Sequence, residues 1–467
     1  MRILAGAVLT WLIFISPELN AEEIRISSLE ELATYASESG NVILMSPGVY
    51  PLSDYLTADS MVSRSNRGLF QFITFSGNNN VFRLNGVEIE VDTDLRNSLK
   101  PPIHTSEFLI SGNDNTLDGL TIRYFGSGTS PGGAALEVAG RDNVLRNITL
   151  RVTGSFPYGY GDLFGKGGPD VIRHRKHSGL LVTGSNTRLY ACRLYMRSFG
   201  HGFYVQKNAE NIYFEDCYVE GEVRATADIL KETSGPAFDV GFRTWTKNRE
   251  GEYRVTPGYM KSLCEDGFRT YGQIKNIHFR NCTAKNTRGG FELRTNGGIR
   301  LEDCTTIGTE RAYWVGEGAV VKNCKGDASY GPLIFIEGSN VDVEMVVVPA
   351  ESRFLVHAMA TIQGKDNHVV FKSENAVGRT KEIPILIGYT HPEHGESMSP
   401  FGEGETAGLK LINETGMPLI IGEQAADCVI ETNGEVLENR GRNIQITLSG
   451  TRDPQIESEG MVEDHLN

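Results

Sequence analysis

The sequence lacks an excess of basic residues and, beyond its first residues, any long hydrophobic run. Its 45 Lys and Arg stand against 59 Asp and Glu, which gives a net charge of −14. A nucleic-acid binder needs a basic face to neutralise phosphates, and a membrane helix needs about 20 consecutive apolar residues. We therefore expect no nucleic acid as a partner and no insertion into a membrane.

Familiar motifs for metals and cofactors are also missing. The chain has no Cys-x-x-Cys or His-Glu-x-x-His pattern, no phosphate-binding loop, no dinucleotide fingerprint and no nucleophile elbow. We assign no metal ligand. Five of the seven cysteines occupy equivalent places in successive repeats, which predicts a ladder of free thiols rather than disulfides. They are Cys192, Cys217, Cys282, Cys304 and Cys324.

The two ends of the chain differ from the rest in composition. Residues 1–21 contain Arg2, a short apolar run and a polar segment that ends at Ala21. This order predicts a secretory signal peptide cleaved after Ala21, and hence a secreted or periplasmic protein. Residues 451–467 are predicted to form an acidic, mobile tail.

Glycine is abundant, with 53 residues, and a short motif recurs through the middle of the chain. The motif is a strand of alternating side chains, and its copies span 178–183, 201–206, 266–271, 289–294 and 311–316. Three of the four intervals between their starts are 22 or 23 residues, and one is 65. Repeats of this length, rich in β-forming residues and without a helical stretch, indicate the coils of a parallel β-helix.

This repeat predicts an all-β, right-handed parallel β-helix, a single-stranded solenoid with an N-terminal capping helix, as the catalytic domain over residues 22–380. Long insertions are expected at about 153–172 and 220–263. Residues 381–450 are predicted to be C-terminal coils or a cap, because the period fades there. Long loops on a rigid solenoid usually wall a binding groove, so we expect both insertions to flank a site.

Alternation along each strand sends neighbouring side chains to opposite faces. The apolar members of the repeat are expected to point inward: Leu180, Phe203, Phe268, Phe291 and Tyr313. The residues beside them then form two outward columns: Leu181, Tyr204, Arg269, Glu292, Trp314, and Thr183, Gln206, Tyr271, Arg294, Gly316. Rings that stack on sugars, together with arginines that bind carboxylates, make this outer face a candidate saccharide-binding surface.

The residues just before each strand bring titratable groups to one edge of that face. Adjacent coils place His201 beside Asp266, and a histidine with a carboxylate is a usual acid–base couple. The basic run 173–177 reaches the same edge and predicts a subsite for an anionic group. The catalytic candidates are His201, Asp266, Arg269, His177, Tyr204 and Glu292. The substrate-binding candidates are Arg175, Lys176, Gln206, Tyr271, Arg294, Trp314, Arg311 and Lys231.

The chain resembles secreted right-handed parallel β-helix proteins that act on polysaccharides, and residues 42–50 resemble the "PG-x-Y" segment at the start of such enzymes. The resemblance covers roughly residues 43–374. It includes polysaccharide lyases of the alginate lyase and chondroitinase B type, mannuronan C5-epimerases, and glycoside hydrolases such as polygalacturonases. For the lyases, it implies a Lys or Arg base, an arginine near the uronate and, in some of them, Ca²⁺ as a cofactor.

A lyase reaction on this face would start with removal of the proton at C5 of a uronate. The base would be His201, or else His177 or Tyr204. Arg269 and Arg294, or the basic run 173–177, would neutralise the substrate carboxylate. Because His, Lys, Arg and Tyr outnumber carboxylates on the face, we expect a polysaccharide lyase that acts on an anionic, uronate-containing polysaccharide.

Three alternatives remain open. In a glycoside hydrolase, Asp266 and Glu292 would flank the scissile bond as paired carboxylates. A C5-epimerase would begin with the same proton abstraction as a lyase. A carbohydrate-binding or adhesin solenoid would hold the saccharide without chemistry, although the concentration of unusual residues on about five coils favours an enzyme.

Overall fold

The computed structural model describes residues 23–98, 106–130, 132–167, 170–248, 251–329, 331–348, 358–374, 383–389 and 404–449. The predicted signal peptide, 1–21, and the predicted tail, 451–467, lie outside these residues. No helix in the described part of the chain is long and apolar enough to cross a membrane.

Thirteen parallel strands form one face of the solenoid, which we call the front sheet. Its strands are Ile73–Phe75, Phe108–Ile110, Ala134–Val138, Ser178–Val182, Phe203–Val205, Phe268–Thr270, Gly289–Leu293, Arg311–Val315, Ile334–Ile336, Ala360–Ile362, Ile385–Ile387, Leu419–Ile421 and Val436–Asn439. Each strand pairs with its neighbours from the coils before and after it, as a β-helix requires. The predicted all-β parallel β-helix is confirmed.

Two further rows of parallel strands close the coils, joined where Val320–Ala328 runs through both. The second sheet contains Glu23–Ile26, Val42–Met45, Val81–Arg83, Thr116–Asp118, Val144–Arg146, Arg188–Tyr190, Glu210–Glu215, Lys275–Arg280, Ile299–Glu302, Val320–Ala328, Asp342–Val347, Gly364–Lys365, His368–Ser373, Thr406–Ala407, Lys410–Asn413, Ala425–Thr432 and Arg442–Leu448. The third sheet contains Gly48–Pro51, Val87–Asp92, Thr121–Phe125, Thr149–Thr153, Arg193–Arg197, Tyr218–Glu220, Thr283–Lys285 and Thr305–Thr309.

Helices are few and short. They are α1 (Leu29–Tyr35), α2 (Ala58–Ser65), α3 (Thr226–Ile229) and α4 (Pro236–Asp239), with 3₁₀ turns at Leu52–Asp54 and Thr93–Ser98. The Ser28 hydroxyl caps α1 by accepting a hydrogen bond from the backbone N–H of Glu31. Leu29 and Leu32 bury one face of α1 in the core at the first coils. A helix therefore stands where the sequence predicts a cap.

The core is a ladder of stacked side chains inside the coils. Phe203, Phe268, Phe291 and Tyr313 stack face to face, with centroid separations of 5.1, 4.6 and 5.3 Å along the axis. Their strands pair in the register that the repeat predicts. All seven cysteines are buried and free, so the stack is held by apolar burial and backbone ladders rather than by covalent links.

The two long insertions fold against each other. Residues 223–262 form an antiparallel hairpin, Val223–Ala225 with Met260–Ser262, together with α3 and α4. The Gly-rich loop after Thr149–Thr153 supplies the other side of a separate small apolar core. Its buried members are Tyr160, Leu163, Phe164, Ile229, Ala237 and Val255. This second core holds both insertions as one projecting wall.

The coils continue past the predicted boundary at residue 380. Leu419–Ile421 and Ala425–Thr432 pair in register with the coil before them, and Arg442–Leu448 pairs with Ala425–Thr432. The repeat fades in the sequence because the interval between the starts of successive front-sheet strands changes from 25 residues (360 to 385) to 34 (385 to 419) and then to 17 (419 to 436). The inward side chains nevertheless keep their alternation, as the burial of Leu419 and Ile421 shows.

Candidate active site

The middle of the front sheet carries an outward column of large polar and aromatic side chains. Tyr204, Arg269, Glu292 and Trp314 stand in register on four successive strands. Each is at most 7% exposed even though it points away from the core. The same column stays buried on the next three strands, at Phe335, Thr361 and Leu386. The ion pairs of the middle strands, rather than burial, therefore distinguish this part of the sheet.

Twelve ionic side chains join in one network at the start of these strands, which we call the charged cluster. Its members are Asp162, Glu265, Asp266, Glu292, Glu310, Lys166, Lys176, Lys261, Arg269, Arg288, Arg294 and Arg311. Seven cations face five carboxylates, so positive charge exceeds negative by two. The buried members are four cations and five carboxylates, so the excess comes from the partly exposed Lys166, Lys176 and Arg294. Positive charge that reaches solvent in a chain with a net charge of −14 suits an anionic ligand.

The wall is bonded to the cluster through buried ions. Lys261 on the hairpin lies 2.5 Å from a carboxylate oxygen of Asp162 and 3.0 Å from one of Glu310. Arg288, at a front-sheet strand start, lies 3.2 Å from Asp162 and 3.0 Å from Asp266. Because each buried ion has a partner of opposite charge, the cost of desolvating it is offset. The insertions are therefore fixed against the sheet.

His201 lies at the centre of the cluster between two carboxylates and a phenol. Its Nδ1 is 3.3 Å from Asp266, and its Nε2 is 2.7 Å from the Tyr271 hydroxyl and 3.5 Å from Glu265. When the ring proton is on Nδ1, it faces the carboxylate of Asp266, at a distance beyond a well-formed hydrogen bond. Nε2 then accepts the hydrogen bond that Tyr271 donates.

The surroundings keep these carboxylates ionised. Burial would raise the pKa of Asp266, but Arg288, His201 and Arg269 outweigh it and hold this pKa well below the usual range. Burial opposes ionisation of Glu265 in the same way, yet the neighbouring cations bring its pKa to about 2. Burial raises the pKa of Tyr271 to about 12, with Arg269 opposing. At neutral pH the site therefore holds anionic Asp266 and a protonated phenol.

Glu292 acts as an anchor for arginines. Arg269 and Arg311 bind its two carboxylate oxygens, and Arg294 lies 3.3 Å away. The guanidinium carbon of Arg294 also stacks 4.3 Å from the Trp314 ring centroid. Both carboxylate oxygens of Glu292 are thus bound by arginines, and the carboxylate orients their guanidinium groups.

Only some cations of the cluster reach solvent. The side chains of Lys166, Lys176 and Arg294 are 32%, 30% and 38% exposed, whereas the other four are buried. Burial lowers the pKa of Lys166 to about 8, and Arg288 adds to this effect. The three partly exposed cations are the ones that a substrate carboxylate can reach.

The structure brings together most of the site residues proposed from the sequence. His201, Asp266, Arg269, Glu292, Tyr271, Arg294, Arg311, Lys176 and Trp314 lie in or against the charged cluster. The Tyr204 ring is buried, and its centroid lies 5.6 Å from that of His201 with the two rings tilted by 47°. Gln206, at the end of the strand Phe203–Val205, is half-buried.

Three of the proposed residues lie elsewhere. His177 is completely buried, with Nδ1 2.6 Å from the Thr153 carbonyl and its ring against Tyr124. Burial lowers the pKa of His177 to about 3, and Arg96 adds to this, so it stays neutral and out of reach of a substrate. Arg175 is exposed and bridges by its backbone to Phe156.

Lys231 is the third proposed residue that lies elsewhere. It follows α3, is 75% exposed and pairs with Asp228. The expectation that His177 and Lys231 face the shared surface differs from what the structure shows. In the strand register Ser178 is the partner of His201, so His177 lies one position earlier. There, side chains of the preceding coils enclose its ring.

Half of the charged cluster is absent from the candidate residues proposed from the sequence. Glu265, Arg288 and Glu310 stand at strand starts next to candidates, where the repeat already predicts titratable groups. Lys166, Asp162 and Lys261 lie on the insertions, where no period indicates which residue turns back to the sheet. Only the folded wall places them there.

The donor set of the cluster does not fit a calcium ion. Each of its carboxylates is engaged by Lys or Arg, whereas Ca²⁺ takes six to eight oxygen ligands. Among the described residues, no three His, Cys, Asp or Glu side chains are grouped to hold a metal ion.

Comparison with known proteins gives similarity in structure only. No protein-family model and no curated protein matches the sequence. An alginate lyase solved in complex with G6 is 12% identical, covering 89% of this chain and 86% of that chain, with a TM-score of 0.47. The tailspike protein of E. coli bacteriophage HK620 in complex with a pentasaccharide is 11% identical, covering 87% and 74%, with a TM-score of 0.46. An endo-xylogalacturonan hydrolase from Aspergillus tubingensis is 9% identical, covering 92% and 100%, with a TM-score of 0.40.

Proposed function

We propose that the protein is a carbohydrate-active enzyme, a polysaccharide lyase that cleaves a uronate-containing polysaccharide by β-elimination at the charged cluster. The observation that carries the proposal is the 2.7 Å hydrogen bond between Tyr271 and His201 Nε2 inside a site with excess positive charge. A base and an acid that exchange protons directly, beside cations for a carboxylate, are what elimination from a uronate requires.

The reaction begins at C5 of the uronate. His201 Nε2 takes the C5 proton, and the electron pair of the broken C–H bond forms the C4–C5 double bond. The C4–O4 bond breaks, and O4 takes the proton of the Tyr271 hydroxyl. The His201 imidazolium then returns a proton to the Tyr271 phenolate through their hydrogen bond, which restores both groups. The proton removed from C5 is thus balanced by the proton on the leaving hydroxyl.

The other residues prepare this transfer. Asp266 holds the Nδ1 proton of His201 on its side of the ring and stabilises the imidazolium that forms. Arg294, Lys176 and Lys166 are the partly exposed cations, which would neutralise the substrate carboxylate and lower the energy of the developing charge at C5. Arg269 and Arg311 are positioning residues, since Glu292 occupies their guanidinium groups.

Two features support elimination over the other reactions. A hydrolase needs a carboxyl group kept protonated by its surroundings, whereas Asp266 is held ionised and Glu292 is engaged by three arginines. An epimerase needs a proton donor on the opposite side of the ring from the base. Here the acid and the base are adjacent, so they serve one side.

The test is product analysis after the protein is mixed with alginate, pectate, a glucuronan and glycosaminoglycans. We expect new chain ends that absorb in the ultraviolet because of the C4–C5 double bond. New reducing ends without this absorbance would assign a hydrolase. Altered uronate stereochemistry in uncut polymer would assign an epimerase, and binding without any product would assign a carbohydrate-binding solenoid.

A further inference from the structure

A groove lies on the third sheet. It has a volume of about 620 Å³, within the range of small-ligand sites. It is lined by the C-terminal ends of four successive strands and the turns that follow them. Its central column is Arg123, Arg151, Tyr195 and Glu220, which stand in register on adjacent coils.

Arg151 and Tyr195 form a platform in this groove. The guanidinium carbon of Arg151 lies 4.6 Å from the Tyr195 ring centroid. Arg151 is exposed, and no carboxylate in the described part of the chain lies within ion-pair distance of it. A stacked guanidinium keeps the donor edges of its fork free, so it can bind a planar carboxylate with two hydrogen bonds.

The neighbouring arginines differ from Arg151 in having partners. Arg123 binds Glu88 and Glu90, and Arg197, 73% exposed, lies 2.9 Å from Glu222. Of the register neighbours Arg123 and Arg151, Arg123 has two carboxylate partners and Arg151 has none among the described residues. Phe125, 39% exposed, adds a second ring at the rim of the groove.

We propose that this groove is a second, non-catalytic site for an anionic oligosaccharide. The Tyr195 ring offers a flat surface for one face of a sugar, and Arg151 offers the carboxylate contact, with Arg197 beside it. The groove reaches the wall itself, since Glu222 at its rim accepts a hydrogen bond from Tyr158 of the Gly-rich loop at 2.5 Å. A polymer held here would lie next to the wall that Lys261 joins to the charged cluster. The inference concerns binding alone and does not require the elimination reaction.

The chain supplies a matched control for this site. Arg146 stacks on Tyr190 with a carbon-to-centroid distance of 4.5 Å, and like Arg151 and Tyr195 the two are exposed and half-buried, respectively. This pair stands on the second sheet and does not line the groove. Losing it removes the same types of side chain in the same geometry from a different surface.

The test is calorimetric titration of the full chain carrying His201→Ala, so that the probe is not consumed. The probes are tetrasaccharides of galacturonate, mannuronate and guluronate, with cellotetraose as the neutral probe. We expect two binding events for an anionic probe. Arg151→Ala with Tyr195→Ala should remove one of them or weaken it about tenfold or more, the loss expected for a charged hydrogen bond. Arg146→Ala with Tyr190→Ala should keep both.

The outcomes separate this inference from the proposed function. A single event that disappears in the Arg151→Ala, Tyr195→Ala protein would support the groove while removing the charged cluster as a binding site. Binding that is unchanged in that protein, equally reduced in the control, equally strong for cellotetraose or absent for every probe would overturn the inference. Arg151→Glu provides a second variant, and thermal unfolding of each variant verifies that it is folded.

Discussion

The hydroxyl oxygen of Tyr271 lies 2.7 Å from Nε2 of His201, although 70 residues separate the two in the sequence. The insertion 223–262 is looped out between them, so their strands pair directly. In the proposed mechanism this contact lets a base and an acid exchange the proton that each turnover displaces. The contact is therefore the part of the site most open to test.

Tyr271→Phe removes the acid and the proton return while keeping the ring beneath Arg269, whose guanidinium carbon lies 4.4 Å from the centroid. We expect kcat to fall by about 10²- to 10⁴-fold, the usual loss for a general acid or base. The free energy of unfolding should change little, because the ring packing is retained. Steady-state kinetics and thermal unfolding measure the two effects. An increase in KM with an unchanged kcat would show that Tyr271 contributes only to substrate binding.

Asp266→Asn should favour the tautomer of His201 that carries its ring proton on Nε2. An amide that donates to Nδ1 forces the ring proton to Nε2, where it opposes the Tyr271 hydrogen bond. We expect kcat to fall by about 10²-fold or more. Arg288 also loses a charged partner, so unfolding should become easier by about 1 to 3 kcal/mol.

The same substitution has a pH signature. The folded-state pKa of Asp266 is depressed, so its stabilisation is present above the ordinary carboxyl pKa of about 4 and is lost as pH falls below it. Thermal unfolding of Asp266→Asn should lack this part of the acid dependence. The matched control is Glu302→Gln, which breaks the more exposed pair with His278, 3.2 Å apart on the second sheet. It should leave kcat unchanged, and equal losses in both variants would contradict the assigned role.

Lys166 should make substrate capture depend on pH. Its pKa is lowered to about 8, so its positive charge, and with it the attraction for a uronate, is present below pH 8 and lost as pH rises through that value. We expect kcat/KM to decline across this range in the wild-type protein and not in Lys166→Met. Lys372→Met, which removes a lysine paired with Glu344 on the second sheet, should retain the decline. A decline that persists in Lys166→Met would assign it to another group.

Gly289→Ala should disturb the cluster by a single methyl group. A Cβ at this position would lie 2.7 Å from a carboxylate oxygen of Asp266 and 3.0 Å from one of Glu292, so both carboxylates must shift. We expect loss of most activity and a destabilisation of about 1 to 3 kcal/mol, as for other overpacked sites. Gly48→Ala is the control, since its nearest neighbour is the Tyr50 ring at 3.5 Å. Full activity in Gly289→Ala would show that the positions of these carboxylates do not matter.

The repeat made the fold and part of the site predictable. Once Phe203 and Phe268 are aligned, the register of Tyr204 with Arg269 follows from alternation, as the strands show. Periodicity says nothing about Asp162 or Lys261, because each lies on an insertion whose path depends on a second apolar core.

His177 shows a second limit of prediction from the repeat. The strand register aligns Ser178 with His201, and therefore His177 with Gly200. His177 is enclosed by Tyr124 and lies near the buried pair of Arg96 with Glu107. Successive coils share a backbone path. Their surroundings are set by what the neighbouring coils contribute, which the repeat does not encode.

The most direct measurement is the rate at which His201→Ala forms unsaturated chain ends from a polyuronate that the wild-type protein cleaves, at saturating substrate and with folding verified by thermal unfolding. The account predicts a rate about 10²- to 10⁴-fold below that of the wild type. A folded variant that keeps more than about a tenth of the wild-type rate would contradict the assignment of His201 as the base.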